Sequence, residues 1–291
     1  MNGLKISHLS VKFKKKEVLQ DISVTFQPQT IYGLLGRNGI GKTTLLSLIA
    51  NRIFAQDGEI TLDGHSVVDN DLALQRIYVM GERNLYPKNL KLATILADTA
   101  AFYGGLDQAY AERLAQKFGL DLDQKYGQLS TGYRSIFKDI IALTVTADYI
   151  LLDEPVLGLD ANHRDMFYQE LIDTYAKKPR TFIMSTHLIE EVANIITHAV
   201  ILSAGKVILD EEVDEMMTKS YLVTGPEKEV TAYVEGLNVI GKEQLGRMTG
   251  YYVYDDLPEM RILPDTVYLE KMPLEKLFIY LTQQTTERKE G

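Results

Sequence analysis

The sequence predicts an α/β fold with a mostly parallel sheet covered by helices on both faces, followed by a small α+β domain. As far as residue 215, short apolar runs typical of buried strands alternate with helical patterns. A glycine-rich loop over residues 36–43 lies between one such strand and one such helix. The pattern then changes. We therefore predict a first domain over residues 1–215, a second over 216–285 and a polar tail over 286–291.

The elements of the first domain follow from apolar periodicity. The first two strands lie on either side of a short turn, and we expect them to pair antiparallel. Strands are expected at Leu4–Phe13, Val18–Phe26, Thr30–Leu35, Gly58–Leu62, Ile77–Met80, Tyr149–Leu152 and Thr181–Met184. Helices are expected at Thr44–Asn51, across 90–127 with a break at Gly104-Gly105, at Ser135–Thr146 and at about 161–176. The segment from about 88 to 146 is the predicted helical subdomain.

The second domain shows no catalytic motif. Its predicted strands are Tyr221–Val223, Val239–Leu245 and Tyr251–Tyr254, and its predicted helices are Glu227–Glu235 and Pro273–Thr282.

Composition limits the classes of function. The net charge of −9 argues against a nucleic-acid binder that depends on a basic surface. The absence of cysteine excludes disulfides, thiolate zinc sites and a cysteine nucleophile. We expect no signal peptide, because residues 1–6 run directly into a strand-like alternation without a charged and then apolar leader. We expect no membrane-spanning segment, because no apolar run approaches the required ~20 residues. The sequence thus predicts a soluble protein whose membrane role, if any, comes through a partner.

The glycine-rich loop has the composition of a phosphate-binding site. Glycines allow backbone N–H groups to approach phosphates, and the following helix adds the positive end of its dipole. Lys42 is predicted to reach the β- and γ-phosphates, and the Thr43 hydroxyl to ligate Mg²⁺. The predicted site comprises Gly36, Asn38, Gly39, Gly41, Lys42, Thr43 and Thr44. The loop therefore predicts binding of a nucleoside triphosphate.

Two adjacent carboxylates follow the apolar strand at 149–152. Asp153 is predicted to hold Mg²⁺, and Glu154 to act as general base toward an attacking water. Paired acids can also simply end a strand and begin a turn. The phosphate-binding loop favours the catalytic interpretation.

Two further segments carry weaker signals. Ser130 and Gly132 precede a helix, where a hydroxyl and a glycine can bind an anion, although for this segment alone a plain serine cap is the better explanation. His187 closes a later strand and could donate a hydrogen bond to the γ-phosphate. A histidine at that position can also be an ordinary surface residue.

The motif order resembles the ATP-binding subunits of ABC transporters: phosphate loop, LSTGY at 129–133, ILLDEP at 150–155, GLD at 158–160 and STH at 185–187. The resemblance implies ATP hydrolysis with Mg²⁺ and a head-to-tail dimer. Ser130 and Gly132 would then touch the γ-phosphate bound by the partner chain, and Asp160 would transmit signals across the dimer. Phe13 would stack on adenine.

The sequence departs from the family pattern in two places. Thr131 and Tyr133 replace the usual residues of the signature, LSGGQ. The glutamine expected in the loop after Ile77–Met80 is absent, with Gly81 near its position and Glu82 next to it. Glu82 could approach Mg²⁺ or position water. In the family, the same loop receives the coupling helix of the membrane subunit.

Other segments resemble a narrower group. Arg83–Pro87 and Pro273–Phe278 resemble bacterial exporters whose membrane proteins are separate chains, and LSTGY is similar to ATPases for antimicrobial or cytolytic peptides and drugs, such as phenol-soluble modulin exporters. This implies a homodimer at the cytoplasmic face of the membrane, attached through a separate integral membrane subunit, and no nucleic-acid partner. Two alternatives stay open: a soluble ABC-type ATPase that acts on ribosomes or DNA, and an ATP-dependent switch without useful turnover.

Overall fold

The computed structural model describes residues 3–14, 16–81, 83–258 and 261–290. The strands, in chain order, are β1 Leu4–Phe13, β2 Lys16–Phe26, β3 Ile31–Leu35, β4 Asp57–Leu62, β5 His65–Ser66, β6 Ile77–Met80, β7 Tyr149–Asp153, β8 Thr181–Thr186, β9 His198–Ser203, β10 Lys206–Glu212, β11 Ser220–Gly225, β12 Val239–Leu245, β13 Met248–Tyr254 and β14 Tyr268–Lys271. The α-helices are α1 Lys42–Ile49, α2 Asp71–Leu74, α3 Leu92–Phe102, α4 Gln108–Lys117, α5 Thr131–Thr144, α6 Ala161–Lys177, α7 Ile189–Val192, α8 Val213–Thr218, α9 Glu227–Tyr233 and α10 Leu274–Glu290.

The central sheet has the strand order β10-β9-β3-β8-β7-β6. Every neighbouring pair is parallel except β9 and β10. All residues of β3, β7 and β8 are buried, as expected for strands covered on both faces. The prediction of a mostly parallel sheet is therefore confirmed. Because β3, β7 and β8 run in the same direction, their carboxyl ends meet at one edge.

A second sheet of order β2-β1-β4-β5 covers part of this core and is antiparallel throughout. The buried residues of β1, such as Leu4 and Ile6, share an apolar cluster with Leu45 and Leu46 of α1. The antiparallel arrangement predicted for the first strands is confirmed. This packing holds α1, and the loop before it, between the two sheets.

The helical subdomain contains α3, α4 and α5. The predicted break lies between α3 and α4, where Gly104 and Gly105 have φ values of +73° and +157°, a region that favours glycine. Helix α5 begins at Thr131, four residues before the predicted start at Ser135. The Ser130 side chain causes this earlier start, because its oxygen accepts a hydrogen bond from the Tyr133 backbone N–H at 3.3 Å.

The C-terminal region forms an antiparallel sheet of order β12-β13-β11-β14. Val223, Val253 and Val267 pack with Val230 of α9 in a separate cluster. Helix α10 lies against β12 and β13 and also contacts α7 and β9 of the first domain. Gly241 permits this packing, since a Cβ there would lie 2.2 Å from the Tyr280 ring.

The boundary predicted after residue 215 falls inside α8. Met272 and Leu277 of the C-terminal region belong to the same buried cluster as Val192 and Ala199. The two predicted domains therefore share an apolar core. Within the described parts of the chain, no helix combines the length and apolar character needed to cross a bilayer.

Candidate functional site

A cavity of about 390 Å³ lies at the carboxyl edge of the central sheet. It brings together residues from the glycine-rich loop, the strand end at Asp153 and the strand end at His187. Its lining consists of Val18, Asn38, Gly39, Gly41, Lys42, Thr43, Thr44, Asp153, Glu154, Leu157 and His187. Nine of these residues were predicted to form the site, and they come from three segments that are distant in sequence. Parallel strand order explains the convergence.

The loop geometry requires glycine at Gly41. Its φ is +120°, and a Cβ there would lie 2.7 Å from the Leu19 side chain. Helix α1 then begins at Lys42 with no side-chain cap, so the N–H groups of its first turn have no side-chain acceptor. A helix start of this kind suits an anion, because free N–H groups and the dipole both favour negative charge. Gly36 does not line the cavity, and its carbonyl oxygen accepts a hydrogen bond from Lys42.

Lys42 is a buried cation beside two carboxylates. Its Nζ donates to the Gly36 carbonyl oxygen at 2.6 Å and lies 3.9 Å from Glu154 Oε1. Burial lowers the pKa of Lys42, while the negative charges of Glu154 and Asp153 act in the opposite direction. The ammonium group therefore lies where it could meet a phosphate at the mouth of the loop.

Asp153 is buried and held in one orientation. Its Oδ1 accepts a hydrogen bond from Thr43 Oγ1 at 3.1 Å and another from Ser185 Oγ at 2.6 Å. A hydroxyl and a carboxylate are oxygen ligands of the kind that Mg²⁺ takes, usually together with phosphates and water. Among the residues that the structure describes, no group of three or more His, Asp or Glu side chains could hold a metal ion. The oxygen atoms of Thr43 and Asp153 could therefore hold Mg²⁺ together with a bound nucleotide.

The backbone changes direction at Glu154, which lines the cavity. Its φ of +51° is uncommon for a residue with a side chain, and its N–H donates to the Ser185 carbonyl oxygen at 3.0 Å. The Glu154 side chain is 9% exposed, and its Oε2 lies 2.9 Å from His187 Nδ1. Backbone conformations of this kind cluster at active sites. The arrangement can hold a carboxylate in a fixed position for proton abstraction.

The other predicted site residues lie outside this cavity. Ser130 and Asp160 are the exposed N-caps of α5 and α6, and Gly132 lies in the first turn of α5. Phe13, at the end of β1, is 49% exposed. Glu82 falls outside the described residues. The single chain therefore assembles only the phosphate and carboxylate part of the predicted site.

Three residues at the site escaped sequence reasoning. Val18 and Leu157 form apolar parts of the cavity lining. Ser185 pairs in register with Asp153 across β7 and β8 and orients its carboxylate. The position of Ser185 two residues before His187 was the available signal, but its contact depends on the order of the strands.

Comparisons with known proteins agree with this geometry. The ABC transporter family model matches residues 19–157. The ABC transporter ATP-binding protein YtrB of Bacillus subtilis (strain 168) is 31% identical over 189 residues, a match that covers 65% of this chain and 65% of that protein. The taurine import ATP-binding protein TauB of Escherichia coli O157:H7 is 33% identical over 212 residues, which cover 69% of this chain and 80% of that protein.

A solved structure described as the ATP-binding subunit of an ABC transporter has the same fold. It superposes with a TM-score of 0.66 at 24% identity and covers 74% of this chain and 92% of its own. The predicted P-loop fold of the ABC ATPase type is thereby confirmed. The chain belongs to the family of ABC transporter ATP-binding proteins.

Proposed function

We propose that the protein hydrolyses ATP and that the resulting motion drives transport through a separate membrane subunit. The observation that supports this proposal is the meeting of Lys42, Thr43, Asp153, Glu154 and His187 around one cavity. Phosphoryl transfer needs charge neutralisation, a metal site and an oriented water, and these five side chains can supply all three.

Each side chain has a separate task in the proposed mechanism. The loop N–H groups and Lys42 bind the phosphates, and Thr44 lies beside them. Thr43 and Asp153 would hold Mg²⁺, which would neutralise phosphate charge. Glu154 accepts a proton from the attacking water, and His187 holds the Glu154 carboxylate in position.

The site is completed by a second copy of the chain. Ser130, Gly132 and Asp160 lie outside the cavity, and the family resemblance assigns them to the nucleotide of a partner in a head-to-tail dimer. Phe13 is exposed and free to act as the adenine platform. One chain carries both halves of a site, so a homodimer contains two complete sites.

Replacement of Ser130 by Ala tests the role of the partner. We expect kcat to fall by about 2- to 12-fold, the effect of one lost hydrogen bond, with no change in the ATP affinity of the monomer. Steady-state phosphate release and calorimetric titration of the monomer measure the two quantities. Ser130→Gly is the matched control for helix capping. It also removes the hydroxyl, but it lowers helix stability by only a few tenths of a kcal/mol. An equal loss of monomer binding would remove Ser130 from the partner's site.

A groove next to the helical subdomain supports docking of the membrane subunit. This cavity of about 310 Å³ has a mainly apolar and aromatic lining, with charges from residues such as Arg52, Arg83 and Asp98. Leu85 and Phe102 line it and are 65% and 64% exposed. Exposed apolar side chains grouped at a groove are typical of protein-binding surfaces. We assign this groove to a cytoplasmic helix of the membrane subunit.

Replacement of Leu85 by Asp tests the groove. A buried carboxylate at the interface is unfavourable, so we expect loss of co-purification with a co-expressed membrane subunit and unchanged ATPase activity of the isolated protein. Leu72→Asp is the matched control, because Leu72 is 78% exposed and lies outside the groove. Retained association of the Leu85 variant would place the membrane subunit elsewhere.

The proposed cargo is a peptide, a drug or another amphipathic molecule that is exported. Support comes from the LSTGY form of the signature and from the segments Arg83–Pro87 and Pro273–Phe278. Since one relative is named as an import protein, direction needs its own test. Membrane vesicles that contain both subunits should move substrate away from the ATP-binding side. The opposite direction would contradict export and leave the ATPase proposal intact.

A further inference from the structure

The turn that follows the catalytic pair contacts the signature within the same chain. We name residues 157–160 the Asp160 turn and residues 129–133 the signature segment. A Cβ on Gly132 would lie 3.2 Å from the Gly158 carbonyl oxygen, so the two backbones are in close approach. Just past the signature segment, Ser135 Oγ donates to the Leu157 carbonyl oxygen at 3.3 Å.

His163 adds a side-chain link between the two segments. Its backbone N–H donates to Asp160 Oδ1 at 2.9 Å, and its Nδ1 lies 2.9 Å from Asp160 Oδ2. These two contacts lower the pKa of Asp160 and favour its carboxylate form. The imidazole ring also meets the Tyr133 ring edge-on, with 6.2 Å between ring centroids, and stacks on Phe118 at 6.1 Å.

Helix α6, which carries His163, is itself fastened to the helical subdomain. Glu170 is 2% exposed and accepts hydrogen bonds from Tyr110 at 2.8 Å and from Lys117 at 2.6 Å, both on α4. Tyr110 also lies 2.7 Å from Thr174 Oγ1. A buried carboxylate that loses such partners is costly, so α6 and α4 are held together.

We propose that His163 is a positioning residue that joins Asp160 to the signature segment, so that both approach the partner's nucleotide as one unit. This inference rests on the head-to-tail dimer of the proposed function. Asp160, Tyr133 and Phe118, the partners of His163, do not line the cavity of Lys42. Loss of His163 should therefore weaken dimer closure and leave ATP binding by the monomer unchanged.

Two variants of His163 separate its contacts. His163→Phe keeps a ring against Tyr133 and Phe118 and loses the Nδ1 contact with Asp160, whereas His163→Asn keeps a short donor and loses the ring. The readout is the Mg-ATP concentration that gives half-maximal dimer by light scattering, in a Glu154→Gln protein that retains bound ATP. We expect each variant to need about 2- to 12-fold more Mg-ATP for half-maximal dimer, which corresponds to the free energy of one such contact. Asn162→Ala, on the same helical turn, is the matched control and should need the same concentration as the parent.

A double-substitution cycle tests the link to Tyr133. Each substitution is expected to raise the Mg-ATP concentration that gives half-maximal dimer by some factor. If the two side chains act independently, the factors for His163→Ala and Tyr133→Leu multiply in the double variant. We expect the double variant to need at most about twofold more Mg-ATP than the single variant that dimerises less readily, because both substitutions break the same contact. Multiplying factors, or His163 variants that dimerise as the parent does, would overturn the coupling and leave the proposed function standing. A parent that stays monomeric with Mg-ATP would overturn closure of the isolated chain into the head-to-tail dimer, and the coupling with it.

Discussion

Replacement of Glu154 by Gln should leave ATP bound and stop its hydrolysis. The amide has the size of the carboxylate and can keep the contact with His187, but it cannot accept a proton from water. Loss of a general base typically costs about 100- to 10,000-fold in rate. We therefore expect phosphate release to fall by that factor and ATP affinity to stay within about twofold of the wild type.

Light scattering on the same variant tests the dimer. With hydrolysis blocked, Mg-ATP should convert monomer to a closed dimer, and removal of Mg²⁺ with a chelator should return the monomer. Glu59→Gln is the control, because Glu59 lies on β4, outside the cavity lining, and should change neither rate nor mass. Near wild-type hydrolysis in Glu154→Gln would refute the general-base role. A monomer that still binds ATP would mean that closure needs the membrane subunit or that the protein is a nucleotide switch.

Replacement of Lys42 by Ala should largely abolish nucleotide binding. The substitution removes the ammonium group and with it the hydrogen bonds to the phosphates. Each such charge-assisted bond is worth about 10- to 150-fold in affinity. The carboxylates of Asp153 and Glu154 would also face the phosphate charge without the intervening cation. Calorimetric titration with Mg-ATP measures the loss.

Two comparisons make the Lys42 result specific. Lys42→Arg keeps the positive charge, but its wider planar group does not match the space of a compact ammonium, so we expect partial recovery only. Lys12→Ala removes a lysine that pairs with Glu17 on the neighbouring strand, outside the cavity, and should bind as the wild type does. Unchanged affinity in Lys42→Ala would mean that the loop does not hold the phosphates through this side chain.

The core of the site could be predicted from sequence because its residues belong to contiguous motifs. The loop before α1 and the pair Asp153-Glu154 each carry a local pattern, and parallel strand order brings them together. Other features depend on the folded backbone. Neither the φ of +51° at Glu154 nor the contact of Ser185 with Asp153 follows from local spacing.

The missed elements have a similar cause. Strands β9 and β10 were not predicted, although they complete the central sheet beside β3. Strand β14 in the C-terminal sheet was also missed, because its four residues have no strong alternation and gain their order by pairing with β11. These segments form strands because of long-range pairing more than because of local propensity.

The apolar core shared by the two predicted domains limits where the chain can be divided. Helix α10 covers α7, the short helix that begins two residues after His187. A fragment cut at residue 215 would expose the apolar side chains of Ile189 and Val192 to water, right beside the segment that carries the histidine. The C-terminal region therefore packs against the framework that supports the catalytic edge.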